Sequence, residues 1–169
     1  MANFKEIKPE QFVQNPFELI GKDWMLVTAE KDGKVNTMTA AWGGFGVMWG
    51  KNVAHIVLRP QRYTKEFVDG STTFSLSFFD DSYKKQLGYL GSVSGRDEDK
   101  IDKSKLTVLK TDNTPYFEEA KMAILCQKLY AQEFKPEYFV AKELDDKWYP
   151  DKDYHTIYIA EVAKILVKE

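Results

Sequence analysis

Arg62, Tyr63 and Thr64 stand at the head of a segment with helical spacing, and the triplet is chemically suited to an anion. It joins a forked cation and a hydroxyl donor to the free amides at the positive end of a helix dipole. On residue type alone, a plain surface arginine near a helix start accounts for it better. A second cluster, GSVSGRDEDK at residues 91–100, adds Ser94, Arg96 and Lys100 as donors and cations. Its plainer account is a solvated loop in which Arg96 and Lys100 pair with Asp97 and Asp99. Cys126 has no Lys, Arg or His immediately beside it to stabilise a thiolate, so it reads as an inert core residue. His55 and His155 are the only histidines, too few for a three-histidine metal site, and with no serine-centred elbow they do not suggest a hydrolase. No metal centre is expected.

These residues need a scaffold, and the patterning predicts a mainly β one. Residues 24–29 form an apolar run, Asp32-Gly33 supplies the positive-φ pair of a tight turn, and residues 35–42 resume an extended pattern, together a hairpin. Residues 53–58 predict a strand ended by Arg59-Pro60, because proline has no amide hydrogen for the ladder. Residues 61–68 predict a short helix closed by Gly70, and residues 73–79 a strand with Phe74, Leu76 and Phe78 inward and Ser75 and Ser77 on a polar face. Asp80, Asp81 and Ser82 offer caps for a second helix through Leu90, and a short strand is expected at residues 106–109. Residues 120–134 and 156–167 predict two long strands. Six or seven strands with three or four short helices exclude a doubly wound sheet and favour an antiparallel barrel, closed or nearly so, with a few peripheral helices.

The 169 residues suit one domain, read as residues 1–169, since Gly and Pro never gather into a linker and no repeat is visible. Apolar residues at 43% and charged residues at 30% exclude disordered and fibrous classes. The net charge is -2, which offers no attraction to a phosphate polymer or an anionic lipid surface, so neither nucleic acid nor a membrane is expected as a partner. One cysteine excludes an intrachain disulfide, and charges in MANFKEIKPEQF occupy the place of a signal peptide's apolar region, so a cytoplasmic location is expected.

Several segments together resemble the FMN-binding split-barrel proteins, in particular the flavoredoxin and flavin reductase-like branch. They are NTMTAAW (36–42), RPQRYTKEFV (59–68), GSVSGRDEDK (91–100), Ile124-Leu125-Cys126 and YHTIYIAEV (154–162), in family order. The chain departs from the family pattern at Lys51-Asn52, where a proline pair is usual, at Ser77, often asparagine, and at Leu125, commonly glutamate. The resemblance implies an antiparallel split β-barrel that binds FMN and reverses the plain reading of Arg62. It implies Arg62, Tyr63 and Thr64 at the phosphate, with Ser94, Arg96 and Lys100 nearby. Asn36, Met38, Thr39, Ala40 and Ser77 would line the ring, and His155 would face the substrate side.

The activity so implied is that of an oxidoreductase in which NADH or NADPH donates hydride to the flavin and a small-molecule acceptor takes the electrons onward. The alternatives are an electron carrier of flavoredoxin type without a nicotinamide site, or a barrel that has lost flavin and serves as an interaction module. The sequence has no GxGxxG dinucleotide fingerprint. A homodimer is expected too, because Trp42, Phe45 and Trp49 lie in an uncharged, glycine-rich stretch that would form a large apolar patch on a monomer.

Overall fold

The computed structural model describes residues 3–169. The chain runs through β1 (Phe4–Ile7), α1 (Pro16–Gly21), β2 (Met25–Lys31), β3 (Lys34–Ala40), β4 (Gly43–Met48) and β5 (Lys51–Leu58). It continues through α2 (Tyr63–Gly70), β6 (Thr73–Phe78), α3 (Lys84–Ser92), α4 (Lys100–Ser104), β7 (Val108–Thr111) and β8 (Thr114–Phe117). The last elements are β9 (Met122–Glu133), α5 (Lys142–Trp148) and β10 (Thr156–Lys168).

Asp32 and Gly33 adopt φ of 52° and 76°, the expected turn, and β2 pairs with β3 from Met25↔Ala40 to Lys31↔Lys34. The large sheet has the order β3-β2-β6-β9-β10-β5-β4 and is antiparallel, with β1 added beside β10. β10 is long enough to pair on one side with β5 and then with β1, and irregularities at Ile159/Ala160 and Val162/Lys164 bend it. β3 and β4 are the two ends of the sheet and do not pair, yet only Ala41 and Trp42 separate them in the chain. Three residue steps span at most about 11 Å, so the sheet must roll until its two edges nearly meet. The barrel is therefore open along a seam, and the chain crosses that seam at Trp42.

The rolled interior holds Met25, Val27, Phe74, Phe78, Ile56 and Tyr158. A second cluster, with Leu26, Leu87, Leu90 and Phe117, packs α3 against the outer face of β2. Hence β2 is buried on both faces, Met25 to Ala29 without interruption. β6 is buried likewise, which corrects the polar face expected of Ser75 and Ser77: both are fully buried, and Ser75 Oγ donates to the Pro115 carbonyl at 2.5 Å. The strands number ten among the described residues, not six or seven. β1 and β8 carried too little alternation to be seen, and glycines masked β4. The strand expected at residues 106–109 is shifted to Val108–Thr111. α5 and its flanks, a strap over residues 134–155, gave no periodic signal.

Candidate functional site

The seam opens into a chamber of about 290 Å³ between the end of β3 and the strap. One side is Met38, Thr39, Ala40, Ala41 and Trp42, the other Trp148 and His155. β3 is an edge strand, so one side of its backbone lacks a strand partner. The small Ala40 and Ala41 let a flat ligand approach that edge. Trp42 meets Trp148 edge-to-face at 4.9 Å and lies tilted against the His155 ring at 5.1 Å. The His155 ring is buried, and its Nδ1 shares a 2.7 Å hydrogen bond with the Tyr149 hydroxyl. Burial, aided by Arg59, lowers its pKa to about 4, so it is neutral at pH 7.

Met38 and Arg62 lead from this chamber into a smaller one of about 170 Å³, where Arg62, Tyr63, Thr64, Ser94 and Lys100 come together. Lys100 is only 3% exposed, and its Nζ donates to the carbonyls of Leu90 and Val93, both at 2.9 Å. Two of its three hydrogens are thereby committed to the end of α3, and one is left. Arg62 donates from Nη1 to the Gly91 carbonyl at 3.0 Å, leaving most of its fork free. Neither cation has a carboxylate partner among the described residues. Burial first, and then the charge of Arg62, lowers the Lys100 pKa to about 8, and burial also lowers that of Arg62. Arg62 is the N-cap residue of α2 and caps no amide with its side chain, and the amides of Tyr63 and Thr64 have no partner among the described residues. Thr64 Oγ1 accepts from Asn36 Nδ2 at 2.9 Å, which leaves the threonine hydroxyl hydrogen available as a donor.

Beyond Lys100 lies a wider cavity of about 630 Å³, lined by Asn36, Arg96 and the acidic loop. Arg96 is turned away from the smaller chamber: it pairs with Glu66, donates to the Gln61 carbonyl at 3.2 Å and covers the Tyr63 ring at 4.6 Å. The pairing of Arg96 and Lys100 with Asp97 and Asp99 does not occur. Asp99 instead caps α4, accepting from the Asp102 amide at 3.1 Å.

Of the residues expected at the ring, Met38, Thr39 and Ala40 line the first chamber. Thr39 is not a free donor, because its hydroxyl donates to the Leu87 carbonyl at 2.5 Å. Asn36 sits toward the smaller chamber, where its amide donates to Thr64; its Oδ1 lies so close to Gly95 that a side chain there would collide with it. Ser77 is not brought to the cleft: it pairs with Leu26 and Ala123 inside the wall, and its Oγ has no hydrogen-bond partner. Cys126 is buried, and burial pushes its thiol up, as an inert core residue requires. His55 sits in β5 against Gly44, in a separate groove with Phe17 and Phe45. The sequence reading missed Arg59, Trp148 and Tyr149, which no local spacing marks as partners of His155. No group of three or more potential metal-ligating side chains occurs among the described residues, and no helix there is long and apolar enough to cross a membrane.

A family model described as the flavin reductase like domain matches residues 18–169. The FMN-binding domain of a flavin reductases-like enzyme from Shewanella baltica OS155 aligns with a TM-score of 0.71 at 18% identity, over 98% of this chain and 78% of that one. Flavoredoxin of Desulfovibrio vulgaris (Miyazaki F) aligns with a TM-score of 0.68 at 25% identity, over 86% of this chain and 69% of that one. The NADH:FAD oxidoreductase SgcE6 of Streptomyces globisporus C-1027, solved with NAD and FAD fragments, aligns at 0.64 and 16% identity, over 87% and 77%. No curated protein sequence matches. With the family match running through both chambers and the open, rolled sheet common to the solved neighbours, the chain is a split barrel that belongs to the flavin reductase-like domain family.

Proposed function

We propose that this chain binds FMN along the seam and acts as an oxidoreductase, taking hydride from NADH or NADPH and passing the electrons to a small-molecule acceptor. The observation that carries the reading is the buried Lys100 beside the half-buried Arg62, with no carboxylate partner for either among the described residues. Like charges held together away from water are costly, and a phosphate of charge near -2 compensates both. Arg62, the third hydrogen of Lys100, the Thr64 hydroxyl and the α2 amides would hold that phosphate. The edge of β3 would address the polar rim of the ring, and Trp42, Trp148 and His155 would wall its far side. Bound there, FMN supplies a hydride-accepting nitrogen, and the protein groups bind and orient rather than act as acid or base. His155, neutral and pinned by Tyr149, serves on the substrate side as a fixed wall. The relative solved with NAD fragments supports a nicotinamide donor.

The deciding test is spectroscopic. FMN-loaded protein should bleach with NADH or NADPH under anaerobic conditions and recover colour in air through repeated turnovers. Reduction by dithionite with neither nicotinamide effective would leave the electron-carrier reading, which the flavoredoxin relative represents. Failure to bind FMN at all would leave the interaction module.

We also propose a homodimer through the β4 edge. Val47 is 74% and Trp49 59% exposed, Met48 and Tyr130 flank them, and Trp49 sits in its turn at φ 53°, strained for so large a residue. Sedimentation at micromolar concentration should give a dimer, shifted toward monomer by Trp49→Asp; a wild-type monomer overturns this interface.

A further inference from the structure

Arg59 follows β5 immediately before Pro60, and its guanidinium is committed to the strap between β9 and β10. Nη1 donates to Asp153 Oδ2 at 2.5 Å and Nη2 to the Trp148 carbonyl at 2.8 Å, while the fork covers the Tyr149 ring at 5.1 Å. Gln61 Nε2 donates to the same Asp153 oxygen at 2.8 Å. The other oxygen, Asp153 Oδ1, is buried without a partner, so the carboxylate depends on Gln61 and Arg59, whose hydrogen bonds hold its pKa below the usual range. Tyr149 in turn holds His155. One side chain on the barrel thus reaches three successive features of the strap, and that strap carries both Trp148 and His155 to the chamber opposite Trp42.

We propose that Arg59 is a positioning residue: its two-pronged grip on Trp148 and Asp153 sets the strap as the second wall of the ring chamber. The assignment extends the flavin reading above, and its strap-holding part stands without flavin. A lysine at this position keeps the charge near Asp153 but cannot also reach the Trp148 carbonyl in the same plane, so the geometry demands arginine. Loss of the fork leaves the Asp153 carboxylate under-compensated, and the strap relieves this by opening to water.

The experiment compares wild type, Arg59→Lys and Arg59→Met by amide hydrogen exchange, with and without FMN, and by circular dichroism in the visible bands of bound FMN. In Arg59→Met, exchange over residues 142–155 should accelerate about tenfold or more while β3 and α2 keep wild-type rates. Arg59→Lys should fall between. The FMN dissociation constant should stay within about threefold, because the phosphate contacts are untouched, while the visible dichroism changes. Unchanged exchange in the strap overturns the proposal, as does Arg59→Lys behaving like wild type. Faster exchange with unaltered flavin dichroism overturns the wall. If Arg59→Met fails to fold, Arg59→Lys, which keeps the charge but loses the Trp148 bond, carries the same expectations at smaller size. FMN binding to none of the proteins defeats the flavin reading and the wall with it, while the exchange rates still judge the grip itself.

Discussion

At the inner end of the cleft the buried Lys100 and the half-buried Arg62 have no carboxylate between them, whereas at the outer end Arg59 is balanced by Asp153 and His155 is uncharged. Both ends use an arginine from the same short stretch, three positions apart, and put it to opposite uses. Arg62 leaves most of its donors free, and Arg59 gives both terminal nitrogens and its face to the protein. An uncompensated buried charge is stable only if something arrives to neutralise it, while a compensated one is part of the wall. On the function proposed above, the inner end would be a binding device and the outer end a shaped surface. Affinity and turnover should therefore respond to different residues.

The largest effect should come from Arg62→Ala. Charge-assisted bonds are worth roughly 1.5–3 kcal/mol each, so FMN affinity should fall about 10- to 100-fold while riboflavin affinity stays nearly constant. Calorimetric titration with both flavins checks this, and an equal loss for the two would break the distinction between the ends.

Next in size is the pH dependence of FMN binding. Lys100 loses its proton near pH 8 in the free protein, and a bound phosphate raises that value. Affinity should thus hold below pH 8 and weaken about tenfold by pH 10, with riboflavin insensitive. In Lys100→Arg the slope should vanish, since arginine keeps its charge. A slope that survives in that variant would move the titration to another group.

A smaller, complementary effect is expected at the outer end. His155→Ala should slow reduction by nicotinamide about three- to tenfold while leaving the FMN dissociation constant within about twofold. Because His155 titrates near 4, the wild-type reduction rate should carry no histidine step between pH 5 and 8 in stopped-flow traces. A matching loss of FMN affinity would place His155 at the inner end after all.

A further effect is expected on stability. The folded chain holds His155 near pKa 4 against 6.5 for a free histidine, so the unfolded chain takes up the proton first. Stability should then decline as pH falls from 6.5 toward 4, and His155→Gln should remove that part of the slope in denaturant titrations. A wild-type slope kept in the variant would assign the loss to His55, whose pKa burial also lowers, because carboxylates with depressed pKa values such as Asp69 act only below about pH 4.

Local chemistry made much of this legible from the sequence. Asp32-Gly33 demanded a positive-φ turn, alternation marked β3, β6, β9 and β10, and Arg62-Tyr63-Thr64 declared a helix start with donors, because each signal lies within a few residues of itself. Cys126 was readable for the same reason. Only the tertiary structure decided which charges stay unpaired. Arg96 and Lys100 are four apart in one polar loop, yet one is drawn out to Glu66 on α2 and the other is buried against the end of α3. Ser77 alternates like a surface residue and is sealed inside because packing covers both faces of β6. Arg59 and Asp153 meet across a sequence separation of 94, and nothing in either neighbourhood encodes the other. Burial and charge pairing are set by which distant segments the rolled sheet brings together, and that geometry has no local periodicity to read.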